Sequence, residues 1–304
     1  MHGLFAVAML SGIYSLVSAT FFVALDAVDV AFTEAAVGAG VSTVLFLATL
    51  SITGEKEKKP NHSGLLPMIV VCIVGAALVY GTLDMPHYGQ ADAPAHTHVS
   101  KRYIEESGTA MGIPNIVTSV LASYRGYDTL GEVTVIFTAG VAVLLLIGSV
   151  KGPIKESVAD GMQHHLVLRV VAKFLIPVIM LFALYVQFHG DFGPGGGFQA
   201  GVIFAAAFIL YALVFGLNAA QQIIYHRLLV ILVASGVLIY GGVGVASMLL
   251  DANFLDYSVL GSTPAAGQHI GILLVELGVG ITVATVMLVI YFAFACRGRR
   301  GKQE

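Results

Sequence analysis

Charge is scarce in this chain. Of its 304 residues, 11% are Asp, Glu, Lys or Arg, whereas 57% are apolar, and mean hydropathy is +0.88. A soluble domain carries about one quarter charged residues, so a water-soluble or disordered protein is excluded. Cysteine is nearly absent. Cys72 and Cys296 lie far apart inside apolar runs and read as small buried hydrophobes. That rules out a disulfide framework and leaves no cluster for zinc or iron–sulfur. There is no Gly-Lys-Ser/Thr phosphate loop, no ATP or redox motif and no fixed-period repeat. The expectation is a chain that is not an enzyme, holds no cofactor or metal and binds no nucleic acid. An inverted pair of broken helices is also missing, which argues against a complete transporter in one chain.

Long apolar runs are what remains. A spanning helix needs about 20 mostly apolar residues, and eight such stretches occur: 4–25, 28–52, 65–83, 129–150, 168–188, 197–217, 227–249 and 268–294. The fold class expected is all-α, a polytopic membrane helix bundle. The first span lacks a basic leader and a second follows at once, so it does not read as a signal peptide. Lys56, Lys58, Lys59, Lys151, Lys155, Arg169, Lys173, Arg227, Arg297, Arg299, Arg300 and Lys302 fall on one side of this layout. Only Lys101, Arg102 and Arg125 fall on the other. The positive-inside rule then puts both termini in the cytoplasm, in a multi-pass protein of the cell inner membrane.

Residues 84–127 form a long external connection carrying His87, His96 and His98. It reads as a solvated loop, with a short amphipathic helix over 115–124 lying at the interface. Pro114 and Asn115 supply its start and Gly126 its stop.

Three carboxylates stand within or at the ends of spans, where a charge costs about 2.5–3.5 kcal/mol. Glu34 lies two turns into span two, among Ala35, Gly38 and Ser42, which permit close helix contact. Glu132 follows Thr129, and Thr-x-x-Glu is a capping box; a cap and a place on an ion path are both open. Glu276 is about 12 Å into span eight, near mid-membrane, with Ile272 and Gly280 as its i±4 neighbours. Lys173 sits one turn into span five, either snorkelling to the surface or pairing with an acid such as Glu276. Pro177, four residues on, predicts a kink. For all three carboxylates a structural hydrogen-bonding role stays open beside a protonic one. Gly236, Gly241, Gly242 and Gly244 in span seven predict helix partners beyond this chain.

Between spans five and six comes His189-Gly-Asp-Phe-Gly-Pro-Gly-Gly-Gly-Phe198. Gly193, Pro194, Gly195, Gly196 and Gly197 predict a tight structural turn with a positive φ.

That stretch, extended through Gln-Ala-Gly201, resembles the signature of the B-type subunit of Mrp-type multisubunit sodium/proton antiporters. Phe-Gly here replaces the family's usual Asn-Ser or Leu-Ser pair before Pro-Gly-Gly-Gly-Phe. The resemblance spans about 165–296. Asp29-Val-Ala-Phe-Thr-Glu-Ala-Ala-Val-Gly-Ala-Gly40 and Arg125-Gly-Tyr-Asp-Thr-Leu-Gly-Glu-Val-Thr134 resemble the C-terminal part of the large A-type subunit of the same antiporters. Similar segments occur as small subunits of membrane-bound hydrogenases. The leading module lacks the family's usual first span. Three modules are thus expected: 1–83, 84–152 and 153–304. The resemblance implies a membrane subunit of a cation/proton antiporter, with other membrane subunits as partners and sodium and protons as transported ions. It makes Glu34, Glu132, Glu276 and Lys173 the ion-path candidates. Two other readings stay open: a membrane-arm subunit of a redox-driven pump, whose redox chemistry lies on partner chains, and a purely structural spacer.

Overall fold

The computed structural model describes residues 3–57, 64–87, 89–147, 162 and 165–300. Lys58, Lys59, Lys151, Lys155 and Lys302, on which the expected orientation partly rests, lie outside the described residues.

Among the described residues the regular structure is helical apart from one isolated bridge, Gly3 to Lys56. The elements run α1 (Leu4–Ala24), α2 (Val28–Glu34), α3 (Thr43–Thr53), α4 (Leu65–Gly81), α5 (Pro94–Thr97), α6 (Ser107–Met111), α7 (Ile116–Thr118), α8 (Gly126–Ile147), α9 (Leu166–His189), α10 (Gly197–Phe215), α11 (Leu217–Ile223), α12 (His226–Leu249) and α13 (Pro264–Arg300). A π-helical stretch, Ala35–Ser42, joins α2 to α3. Two shorter ones, Arg102–Glu106 and Ser119–Tyr124, lie before α6 and after α7.

Among the described residues, seven helical stretches are long and apolar enough to cross a membrane, so the chain is a multi-pass membrane protein. The expected span 65–83 differs. Its helix, α4, has 17 residues, about 25 Å at 1.5 Å per residue and the lower limit for spanning. None of its residues is buried. Helix α9 stays one helix through Pro177.

Helix α13 is the centre of the bundle, packed against α12, α10 and α8, with α9 outside α10. Glycines let the backbones approach, as in other membrane bundles. A Cβ on Gly201 of α10 would lie 2.6 Å from the Gly280 carbonyl of α13, and one on Gly236 of α12 would lie 2.7 Å from the Gly278 carbonyl. Gly241 and Gly242 face open space, so two of the four glycines in span seven are used internally and two are not. A separate contact seats α1 on the π-helical stretch. There a Cβ on Gly38 would meet Ser15, and one on Gly12 would meet Thr43.

The connection 84–127 is exposed over its His-rich part, as expected of a solvated loop, and folded beyond it. His87, His96 and His98 are exposed, but from Ser107 onward the segment is folded into the bundle. Ser107, Ile113, Thr118, Ser119 and Ala122 are buried. The first three turns of α13 project beyond the start of α10, and this segment covers them. Asn115 does start a helix: its side chain accepts from the Val117 N–H at 3.0 Å. The stretch 115–124 then turns Thr118, Ser119 and Ala122 into the bundle and leaves Ile116, Val117 and Leu121 exposed, and Gly126 opens α8 directly. The capping box at Thr129 is absent for the same reason. Helix α8 begins one turn earlier, and the Thr129 hydroxyl donates to the Leu121 carbonyl at 2.8 Å.

Two buried tyrosines tie this cover down. The Tyr240 hydroxyl donates to the Gly126 carbonyl at 2.8 Å and that of Tyr257 to the Ala122 carbonyl at 2.9 Å. Burial raises the Tyr257 pKa, which keeps its hydroxyl a donor. Tyr257→Phe should cost about 1–3 kcal/mol, the penalty for leaving a buried acceptor unpaired. The measurement is the heat-induced loss of folded complex, and a midpoint equal to wild type would contradict the role.

Candidate functional site

The α9–α10 hairpin turns through 190–196. The Gly196 N–H donates to the Val186 carbonyl at 3.0 Å, and Gly196 has φ +117°, a conformation that only glycine adopts without strain. The glycines of the turn close against α13 at Glu276. A Cβ on Gly190 would stand 3.1 Å from Glu276 Oε2, one on Gly196 would stand 3.1 Å from Oε1, and one on Gly197 would overlap the Glu276 carbonyl. The Glu276 carboxyl therefore lies against a bare wall of glycine backbone. Pro194 is exposed, and Gly193 packs on the His189 ring.

Segments distant in sequence hold the turn in place. The Gly195 N–H donates to Asp29 Oδ1 at 3.0 Å, which fixes the start of α2 on the turn. From the cover, Asn115 Nδ2 donates to the Gly190 and Gly193 carbonyls at 2.9 and 2.8 Å. Thr118 Oγ1 donates to the Gly190 carbonyl at 2.6 Å.

A cavity of about 610 Å³ opens beside this wall. Its polar lining is Asp29 and Thr33 from α2, Thr118, Thr129 and Glu132 from the cover and α8, and Gln199 and Glu276 from α10 and α13. Glu132 is exposed, whereas Asp29 and Glu276 are half-buried. Among the described residues the ion pairs are Arg125–Asp128 and His269–Asp191, so no cation pairs with Glu276 or Asp29. No group of three or more His, Cys, Asp or Glu side chains could hold a metal ion among the described residues. A space of this size with separated carboxyl, hydroxyl and amide groups can take water and exchange protons or a hydrated cation.

The structure brings two of the four candidates together and leaves two apart. Glu276 and Glu132 share the cavity. Glu276 is twelve residues into α13, about 18 Å from its start, and level with the first residue of α10. It is not level with the middle of that helix, because the hairpin turn is drawn inward beneath the cover. Glu34 is half-buried on the other face of its rod, with Oε1 beside Gly38 where Ser15 of α1 packs. Lys173 is exposed, sixteen residues before the end of α9 and about 24 Å along it from the turn. That distance separates it from Glu276. Asp29 went unremarked as a site residue, although Asp29-x-x-x-Thr33 places both side chains on one helix face.

Comparisons with known proteins agree with this architecture. The family model described as a domain related to the MnhB subunit of Na+/H+ antiporters matches residues 167–289. The MbhD and MbhE models, for the D and E subunits of MBH, match 1–55 and 68–165. A probable K(+)/H(+) antiporter A/B subunit of Rhizobium meliloti is 26% identical over 96% of this chain, and the chain spans 32% of that relative. A putative antiporter subunit mnhB2 of Staphylococcus aureus is 33% identical over 44% of this chain and 96% of its own length. Among solved structures, the Mrp complex from Dietzia sp. superposes with TM-score 0.74 at 26% identity, covering 97% of this chain and 33% of the Dietzia chain. The archaeal membrane-bound sulfane sulfur reductase gives TM-score 0.53 at 28% identity, covering 73% of this chain and 95% of that one. The chain belongs to the MnhB-related family of antiporter membrane subunits, with MbhD-type and MbhE-type segments preceding its MnhB-type domain.

Proposed function

We propose that this chain is a membrane subunit of a multisubunit cation/proton antiporter and that the cavity beside the glycine turn is part of its ion path. One observation carries the reading: acidic side chains from three separate segments, Asp29, Glu132 and Glu276, line one cavity. Glu276 is the proton-exchanging group, since its carboxyl lies against glycine backbone and no cation among the described residues pairs with it. Asp29 keeps the turn in place, and exposed Glu132 faces the next subunit. Glu34 is a second station, facing α1. Lys173 contributes at the far end of α9. The three modules 1–83, 84–152 and 153–304 act as one unit, in the cell inner membrane with both termini cytoplasmic. Partners are other membrane subunits, and the lead cation is sodium, with potassium the competitor. Neutralising Glu132 or Glu34 to Gln should lower exchange severalfold without loss of assembly. Vesicles containing the complete complex, assayed with sodium and with potassium, give the measurement. Wild-type rates in both variants would leave the structural-spacer reading for those two residues.

A second reading is a membrane-arm subunit of a redox-driven ion pump. The likeness to the sulfane sulfur reductase chain favours it, as do the MbhD and MbhE matches. Purifying the chain with its native partners and identifying them separates the two. Partner chains carrying iron–sulfur or nickel–iron centres select the pump.

A further inference from the structure

His269 lies on α13 two turns before Glu276 and takes no part in the cavity. Its ring joins three segments. Nδ1 is 3.1 Å from Asp191 Oδ2 in the glycine turn, and Nε2 is 3.2 Å from the carbonyl of Gly112 at the end of α6. Both partners are acceptors when Asp191 is ionised. A neutral imidazole has one N–H and can satisfy one of them; the imidazolium has two and satisfies both. The pair thus makes both bonds when it holds one extra proton and loses one of them when that proton leaves. Asp191 is the neighbour of Gly190, whose backbone lies against Glu276 Oε2, and its own carbonyl accepts from the Asn115 N–H at 3.1 Å.

We propose that His269 is a positioning residue for the Glu276 site: a proton shared with Asp191 ties the glycine turn to the cover and holds the wall against the Glu276 carboxyl. This rests on the reading of that cavity given above. The proton comes from outside the bundle, because the His269 side chain is 40% exposed and that of Asp191 is 17% exposed. Other titratable groups surround this end of α13. They are Glu276 on its own helix, Glu132 on α8, Tyr240 on α12, Asp256 and Tyr257 ahead of α13, and His189, which stacks on Tyr185. Arg102, Glu105 and Glu106 precede α6 and are exposed. Among the described residues none of these bonds to His269, so Asp191 is the group that answers its protonation.

Asp191→Asn provides a decisive variant. An Asn amide can donate to the bare Nδ1 of a neutral imidazole, whose Nε2–H then reaches the Gly112 carbonyl. The tie no longer needs the extra proton. Amide hydrogen exchange of the full chain in its native complex reads the state of the turn and cover, residues 190–196 and 107–124. It is measured at about pH 5.5 and about pH 8.5, either side of the ordinary histidine range, and corrected for intrinsic exchange. Wild type should lose about tenfold protection at the higher pH, the effect of one hydrogen bond. Asp191→Asn should keep its protection at both, and His269→Phe should lack it at both. Equal protection in wild type at the two values overturns the proposal. So does a pH-dependent Asp191→Asn, or a His269→Phe that is protected. The readout is independent of transport. A Glu276→Gln variant that exchanges normally removes the ion-path reading and leaves this result intact, and the converse also holds.

Discussion

Glu276→Gln in the assembled complex is expected to stop exchange while leaving assembly unchanged. Gln has nearly the same shape as Glu, so it fits against Gly190 and Gly196 without moving the turn, where the glycines carry no side chain. It cannot release a proton. Removing a positioned proton-transfer group costs about 100-fold or more, so exchange should fall to the vesicle background. Glu276→Asp retains an acid but withdraws it by one methylene, about 1.5 Å, and should keep partial activity. The assay is pH-gradient dissipation on addition of cation to vesicles of the whole complex, with subunit stoichiometry determined on the same sample. Exchange at the wild-type rate in a correctly assembled Glu276→Gln complex would falsify the ion-path role of this cavity.

Gly197→Ala should act on assembly. A methyl group there would overlap the Glu276 carbonyl oxygen and come within 2.9 Å of the Gly280 N–H nitrogen. Both are backbone atoms of the central helix, so no rotamer change relieves the overlap. Helices α10 and α13 must separate, and the wall beside Glu276 moves with them. Overpacking costs about 1–3 kcal/mol where side chains can yield, and this site belongs at the top of that range. The amount of intact complex recovered in mild detergent should fall steeply. Gly241→Ala is the control on the neighbouring helix, because a Cβ there meets nothing within 4 Å of this chain. If Gly197→Ala assembles as well as Gly241→Ala, the close α10–α13 contact is not what holds the bundle together.

Much of the site was legible one residue at a time. Glu276 stands out because an acid in an apolar run needs an explanation, and the glycine run stands out because no other residue type allows such a turn. Asp29 did not stand out. It sits in the first turn of a helix, where an acid is unremarkable on account of the helix dipole. Its function as acceptor for the Gly195 N–H depends on a segment 166 residues away. Glu132 was legible as an acid, with a cap and an ion-path place both open, because Thr129 looks like an N-cap until the helix is seen to start at Gly126. His269 gave no local signal, as a histidine near a helix start has many ordinary uses.

The sequence by itself determined the class of this protein and the approximate position of seven of its eight expected membrane helices. Both follow from hydrophobicity summed over about 20 residues, a local quantity that packing cannot reverse. It also determined that Gly196 would take a positive φ, a property of a single backbone unit. The tertiary structure alone decided which acids meet. Glu276 was placed against the glycine turn rather than Lys173 because α9 carries them about 24 Å apart. Glu34 was turned toward α1 while Asp29, five residues earlier, was turned toward the cavity, since the two project from different sides of one rod. The long connection was drawn into the bundle because the exposed first turns of α13 and the backbone carbonyls of the glycine turn need partners; Asn115 and Thr118 supply them to the carbonyls. Those partners are separated by tens to hundreds of residues, and no local pattern encodes such a distance.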